Sequence, residues 1–353
     1  MSRKRKKSSV GRLSIGLVIL VIAVLVLLFF TGRVYQDYRG RAFSRQFEMC
    51  ITPEMTPQAV LDSIFALGYA RDEASIRRCF ARVGTDKQVK PGHYTFDTRS
   101  SAIYIARMLA RGWQSPVNLT LSGTIRTKGG LARKIANQML LDSATVSEAI
   151  RSNEFLSAYG TDTTMLFASI IPDTYQIYWT ASMEEIFEKF HQGYEAFWTP
   201  ERDAKAEAVG LTRLQVSTLA SIVDGESRYQ PEQPAIAGVY LNRLRKGMKL
   251  QADPTVAFCF GYSLNRILTA HLSVDSPYNT YRYEGLPPGP ISCPPKNCLD
   301  AVLNPEQHNY LFFCADPSLN GSHVFAATYT EHLVNAKAFQ KALTERLKAK
   351  GKK

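Results

Sequence analysis

From Leu13 to Phe30 the chain is apolar at every position but Ser14 and Gly16. With Thr31 and Gly32 the run reaches the roughly 20 residues that cross a bilayer core as a helix. A cleaved leader would carry a shorter apolar stretch of about 7–15 residues followed by a small-residue cleavage site. Here Gly32-Arg33-Val34-Tyr35 follows instead, so the expectation is a retained single-pass helix over residues 13–32. Arg3, Lys4, Arg5, Lys6, Lys7 and Arg12 precede it with no acid among the first twelve residues. The positive-inside rule then places residues 1–12 in the cytoplasm and everything after Arg33 outside it.

That assignment absorbs half of the formal net charge of +12 into topology, so nucleic acid is not an expected partner. Much of the rest lies in a basic C-terminal tail over residues 346–353, with Arg346, Lys348, Lys350, Lys352 and Lys353, and such a run is ordinarily a solvated end. A chain of 353 residues with 45% hydrophobic and 21% charged residues is long and apolar enough for two folded parts beyond the anchor. We expect a small module over 33–115 and a larger domain over 116–345. Cys50, Cys79, Cys259, Cys293, Cys298 and Cys314 all follow the anchor, where disulfides are permitted. None has the paired spacing of a zinc site. Neither a metal nor a cofactor is expected, and disulfide connectivity stays open.

The first part reads as alternating short helices and strands. Thr56-Pro57 opens a helical apolar spacing (Val60, Leu61, Ile64, Phe65) that Gly68 stops. Lys90 to Phe96 is a turn entering a short strand, and Ser100 to Leu109 a further amphipathic helix. Beyond it, Val117 to Leu121 is strand-like, and helices are expected over 130–140 and 183–197. Between these lies an unusually apolar and aromatic segment, Leu166 to Trp179. Its Tyr175, Tyr178 and Trp179 either stack on sugar rings or belong to the core.

The chemistry-bearing segment begins at Thr212-Arg213-Leu214-Gln215, a capping-box pattern. Along the helix that follows, Leu219, Ile222, Val223 and Glu226 fall at i, i+3, i+4 and i+7, on one face. A carboxyl carried there is taken partly out of water, which favours its protonated form and makes it usable as a general acid. The alternative is a helix-end glutamate turned to solvent or held by an arginine. Asp224 lies on a different face. Residues 235–244 form a second apolar helix, leading into Gln251-Ala252-Asp253-Pro254. The residue before proline is expected to be extended, aiming Gln251 and Asp253 at a cleft; otherwise Asp253 caps a helix starting at Pro254. Ser276 to Tyr281 and Gly285 to Ile291 are rigid loops suited to a substrate wall, with Asn279, Thr280 and Tyr281 offering donors, acceptors and a ring face to acetamido sugars. Turn formation alone also explains Asn and Pro there. His323 and His332 receive no catalytic step.

Several stretches together resemble the YceG-like (MltG) family of endolytic murein transglycosylases: Leu219 to Ser227, Ile236 to Leu244, Gly247 to Val256, Tyr278 to Tyr281 and Gly285 to Ile291, in that order. Weaker agreement runs upstream through Pro172-Asp173-Thr174-Tyr175 and Lys90 to Tyr94. The resemblance implies an α+β architecture: one N-terminal transmembrane helix in the bacterial inner membrane, a LysM-like module, then a mixed α/β catalytic domain with its acid on a helix. It places Glu226 on the second acid of the family's Glu-Lys-Glu-Thr segment, the one taken as catalytic, with Ser227 as the hydroxyl after it. Asp224 and Gly225 replace the usual Glu-Lys, and Leu333 stands where Asn commonly follows Glu-His. The implied substrate is the peptidoglycan glycan strand and the implied protein partners are peptidoglycan synthases, cutting near the membrane terminating nascent strands. Glu226 would protonate the oxygen of the MurNAc–GlcNAc bond and then deprotonate the muramoyl C6 hydroxyl, leaving a 1,6-anhydro end. Gln251, Asp253, Asn279, Thr280, Tyr281, Ser227 and Tyr175 would contact the sugars. Two alternatives stay open: a hydrolase in which Asp253 activates water, and a non-catalytic wall-binding scaffold.

Overall fold

A computed structural model describes residues 10–350; the basic residues Arg3 to Lys7, and Lys352 and Lys353 of the C-terminal tail, lie outside that range. The chain divides into two compact units, one made of residues up to 117 with 178–180, the other of 118–177 with 181 onward.

The first unit opens with α1 (Val10–Arg39), which is long and apolar enough to cross a membrane. The helix runs on past residue 32, where the expected membrane span ends. It continues to Arg39 and ends where Gly40 N–H bonds back to the Gln36 carbonyl at 3.0 Å. The extra turns are held by one buried acid: Asp37 accepts from Ser75 Oγ at 2.6 Å and Arg78 at 2.8 Å, with Arg82 at 3.5 Å. The Ser75 hydroxyl and the two guanidiniums supply the hydrogen bonds and the opposite charge that a buried carboxylate requires. The remainder is a βααβ arrangement followed by a helix: β1 (Phe47–Ile51), α2 (Pro57–Ala66), α3 (Glu73–Val83), β2 (Gly92–Phe96) and α4 (Ala102–Arg111). β1 and β2 pair antiparallel, Phe47 opposite Phe96 and Ile51 opposite Gly92. Thr56 caps α2 through Ala59 N–H, Asp72 caps α3 through Ser75 N–H, and Phe43, Ile76, Phe80 and Leu109 are fully buried between them.

The second unit is mainly helical, which narrows the mixed α/β expectation. Its strands form only two-stranded sheets among the described residues, β3 (Val117–Thr120) with β4 (Thr174–Ile177) and β5 (Phe312–Ala315) with β6 (His323–Ala326). Between β3 and β4 lie α5 (Lys128–Ala136), α6 (Ser143–Ala149) and α7 (Asn153–Ser157); α8 (Met183–Phe197), α9 (Pro200–Val209), α10 (Arg213–Glu226), α11 (Gln233–Arg245), α12 (Asp253–Cys259) and α13 (Lys296–Leu303) follow β4, and α14 (Tyr329–Lys350) follows β6. α10 is the centre. Its capping box is complete, Thr212 Oγ1 accepting from Gln215 N–H while Gln215 accepts from Thr212 N–H. Sequence spacing suggested one buried face, whereas residues 216–223 are buried all round. The small polar residues tolerate this because their hydroxyls bond within the helix, Thr218 to the Leu214 carbonyl at 2.8 Å and Ser221 to the Thr218 carbonyl at 2.7 Å. Leu219, Ile222, Ile236, Leu299 and Val302 close the core around it with no exposed surface.

Candidate active site

Glu226 is the last helical residue of α10, where the backbone's negative dipole end disfavours a carboxylate. Its carboxyl accepts a hydrogen bond from Tyr240 OH at 2.6 Å, reaching across from α11. Burial pushes the carboxyl up to about 7; Asp253 adds to the rise, while the Tyr240 hydroxyl and the Arg243 guanidinium pull against it. Of the two readings left open by spacing, the buried one holds. The residue is a half-buried acid poised between charge states at neutral pH, the condition under which one group can both donate and accept a proton.

A cleft of about 280 Å³ opens on this carboxyl, lined among others by Asp253, Pro254, Arg126, Tyr262 and Ile291. Each wall has a local cause. Gly225 lets α10 meet the start of α12, since a β-carbon there would lie 2.5 Å from Pro254 Cβ. This gives a physical reason for glycine at a position where the family pattern usually has lysine. The proline-rich loop is clipped down twice at Ile291, whose N–H donates to Ser221 Oγ at 3.0 Å and whose carbonyl accepts from Tyr262 OH at 2.6 Å. Beneath Tyr240, Arg243 is buried at 7% exposure and donates to the carbonyls of Leu250 at 2.7 Å and Leu311 at 2.6 Å.

Of the residues expected at the site, the cleft brings together Glu226 and Asp253, and Tyr281 joins them by donating its hydroxyl to Asp253 Oδ1 at 2.7 Å. Asp253 is neither extended nor a cap. It is the first residue of α12 with Ala252 as the cap, because a proline in the first turn needs no N–H partner. Apart from the Gln251 side chain, the others have polar groups committed within the fold. Asn279, fully buried, donates to the carbonyls of Leu272 and Val274 and accepts from Tyr281 N–H. Thr280 accepts from Ala252 N–H and shares a hydroxyl contact with Thr255, while its carbonyl accepts from Gln251 N–H. These bonds hold Gln251 in a left-handed conformation at φ 50, which costs a non-glycine residue about 1 kcal/mol or more; its side chain is exposed. Ser227 caps α10 and accepts from Tyr229 N–H. Tyr175 is a core residue: its hydroxyl bonds the Ile171 carbonyl and its ring packs on Phe190. His323 is bonded to the buried Glu232 at 2.7 Å, and the ring of His332 stacks on Phe312. Tyr240, Arg243, Arg126 and Tyr262 were not singled out from sequence. Tyr240 and Arg243 do leave a trace, as polar heads at i and i+3 on a helix whose residues 235–241 are otherwise apolar.

An acid raised to about 7 in a cleft, hydrogen-bonded by a tyrosine and held in the field of a buried arginine on the neighbouring helix, is an arrangement able to give and take a proton on a mainly helical α+β scaffold. The chain belongs to the YceG-like family, which it matches over residues 49–338. It is 40% identical over 134 residues to an endolytic murein transglycosylase of Bacillus subtilis, covering 38% of this chain and 36% of that protein. An endolytic murein transglycosylase of Streptococcus pneumoniae is 27% identical over 168 residues, covering 46% and 30% respectively. The matched regions thus span about a third of the length of these curated relatives. A crystal structure of a YceG-like protein from Listeria monocytogenes superposes with a TM-score of 0.56 at 25% identity, covering 81% of this chain and 97% of that one.

Proposed function

We propose that the chain is an endolytic lytic transglycosylase of peptidoglycan, cutting the β-1,4 bond between N-acetylmuramic acid and N-acetylglucosamine with Glu226 as both acid and base. The observation that carries the reading is the Glu226 carboxyl, raised to about 7 by burial. The protonated carboxyl gives its proton to the glycosidic oxygen as the bond to the muramoyl C1 breaks. The resulting carboxylate, steadied by Tyr240 OH, takes the proton of the muramoyl C6 hydroxyl while O6 closes on C1. Proton balance is restored with no water consumed, and the product ends in a 1,6-anhydro ring. Asp253, oriented by Tyr281, supplies the negative potential that favours positive charge developing on the sugar ring. The names of the relatives support the substrate.

The test is mass spectrometry of peptidoglycan incubated with the chain and with Glu226→Gln. Anhydromuramoyl ends made only by the parent support the reading. Reducing ends instead would assign a hydrolase in which Asp253, on the same cleft, activates water. No products from either would leave a wall-binding scaffold.

Tyr240→Phe gives a second check. Its hydroxyl bonds to the carboxylate and so favours the charged form; removing a charge-assisted bond of about 1.5–3 kcal/mol raises the pKa of Glu226. The alkaline limb of kcat/KM should then move up by about 1–2 pH units. An unmoved or lowered limb would count against Glu226 as the titrating acid.

The same reading makes α1 a single-pass inner-membrane anchor with a cytoplasmic N-terminus and residues 33–115 a LysM-like module, supported by the βααβ order of β1, α2, α3 and β2. Residues 116–345 are then the catalytic domain, acting on nascent strands beside peptidoglycan synthases.

A further inference from the structure

A second depression of about 410 Å³ adjoins the cleft and shares Arg126 and Tyr262 with it. Its floor is aromatic: the rings of Phe258 and Tyr278 lie 4.5 Å apart, with Tyr262 6.2 Å from Phe258. Its rim is cationic. The Arg126 guanidinium sits 5.3 Å over the Tyr262 ring, and Lys128, at the start of α5, lines the far side with Thr127. Among the described residues neither cation lies within 4.0 Å of a carboxylate. Lys128 is disfavoured as a cation by burial and by Arg151, with Asp162 only partly compensating. The far wall is fixed tightly, since a β-carbon on Gly289 would lie 2.7 Å from the Thr164 carbonyl, and this seats Pro290 in the pocket lining.

Two cations with no carboxylate within 4.0 Å, although Asp224 acts on Arg126 and Asp162 on Lys128 from farther off, stand above an apolar floor and match an anion carried on a partly apolar stem. On a glycan strand the sugar rings are neutral, and the regular anions are carboxylates borne by the muramoyl O3 substituent: the lactyl carboxylate of a stripped strand or the stem-peptide carboxylates of an intact one. We propose, on the basis of the function argued above, that this pocket receives the carboxylate-bearing O3 substituent of a muramoyl residue next to the bond being cut, Lys128 and Arg126 pairing with the carboxylate. Charge-assisted pairing in a half-enclosed site is the stronger kind of hydrogen bond, so the pocket selects strands by what hangs from the sugar.

The experiment measures binding of strand fragments to the full chain carrying Glu226→Gln, in detergent micelles, with and without Lys128→Met. Three fragments are compared: peptide-bearing, amidase-stripped, and peptide-bearing with carboxylates amidated. Expected is an about tenfold weaker Kd from amidation or from Lys128→Met, with the two losses not adding because they remove one pair, and retention of binding in Lys128→Arg. A loss confined to peptide-bearing fragments assigns the stem carboxylate; one confined to stripped fragments assigns the lactyl carboxylate. Lys128→Met discriminating acidic from amidated fragments as well as its parent does, or no binding by the parent at all, overturns the proposal. The product analysis of the unmodified chain is read separately, so charge-selective binding without cutting would remove the transglycosylase reading and keep the site.

Discussion

Glu226→Gln is expected to slow strand cutting by about 10²–10⁴-fold, the usual contribution of a positioned acid–base group, while making the protein more stable above neutral pH. In the folded chain this carboxyl keeps its proton up to about pH 7, against an ordinary value of 4.5. Between those values the folded state holds a proton that the unfolded state has released. Stability therefore falls as pH rises through the window, and the deficit is complete above it. A gap of this size corresponds to about 3 kcal/mol, and glutamine, which never ionises, escapes it. Thermal unfolding of both proteins at pH 5 and pH 8 checks the point: the advantage of the variant should appear at pH 8 and shrink at pH 5. An equal difference at both would mean that the carboxyl is not strained by burial.

Arg243→Leu should cost about 3–5 kcal/mol, since it removes two strong charge-assisted bonds and leaves the buried Leu250 carbonyl and the partly buried Leu311 carbonyl without this donor. It acts on the site as well, because the arginine is one of the groups that draws the Glu226 pKa down. Hydrogen exchange of the α11 amides is the direct readout. Protection reduced by less than about tenfold, or 1.4 kcal/mol, would mean that solvent replaces the guanidinium cheaply and that it is no keystone.

What was legible beforehand follows a physical division. Local rules placed the starts of α2 and α10, where Thr56 and Thr212 cap their own helices, and the span of α8, with its complete Ser182–Glu185 capping box. They also put Glu226 on a buried surface, since its spacing from Leu219, Ile222 and Val223 is a property of one helix. The contact from Tyr240 was not legible, because two helices must dock before residues fourteen positions apart in different elements can meet. Asn279, Thr280 and Tyr175 show the complementary difficulty. An amide or hydroxyl spent on a neighbouring carbonyl has the same sequence signature as one offered to a sugar, and only the docked loops reveal which way it is used. The family motif around Gln251 to Thr280 therefore includes residues that shape the cleft without lining it.

If α1 is read as the membrane anchor proposed above, the clamp on Asp37 acquires a mechanical meaning. The apolar stretch of α1 over residues 13–32 is about 30 Å at about 1.5 Å per residue, matching a hydrocarbon layer of about 30 Å, and the helix continues beyond it to Arg39. A helix in that setting tilts by an amount that depends on bilayer thickness. Because the last turns of α1 are keyed into α3 by Ser75, Arg78 and Arg82, no swivel separates shaft from hub. On the anchor reading, tilt taken up in the lipid passes to the βααβ module through these contacts, so the thickness of the membrane bears on the angle at which that module is held.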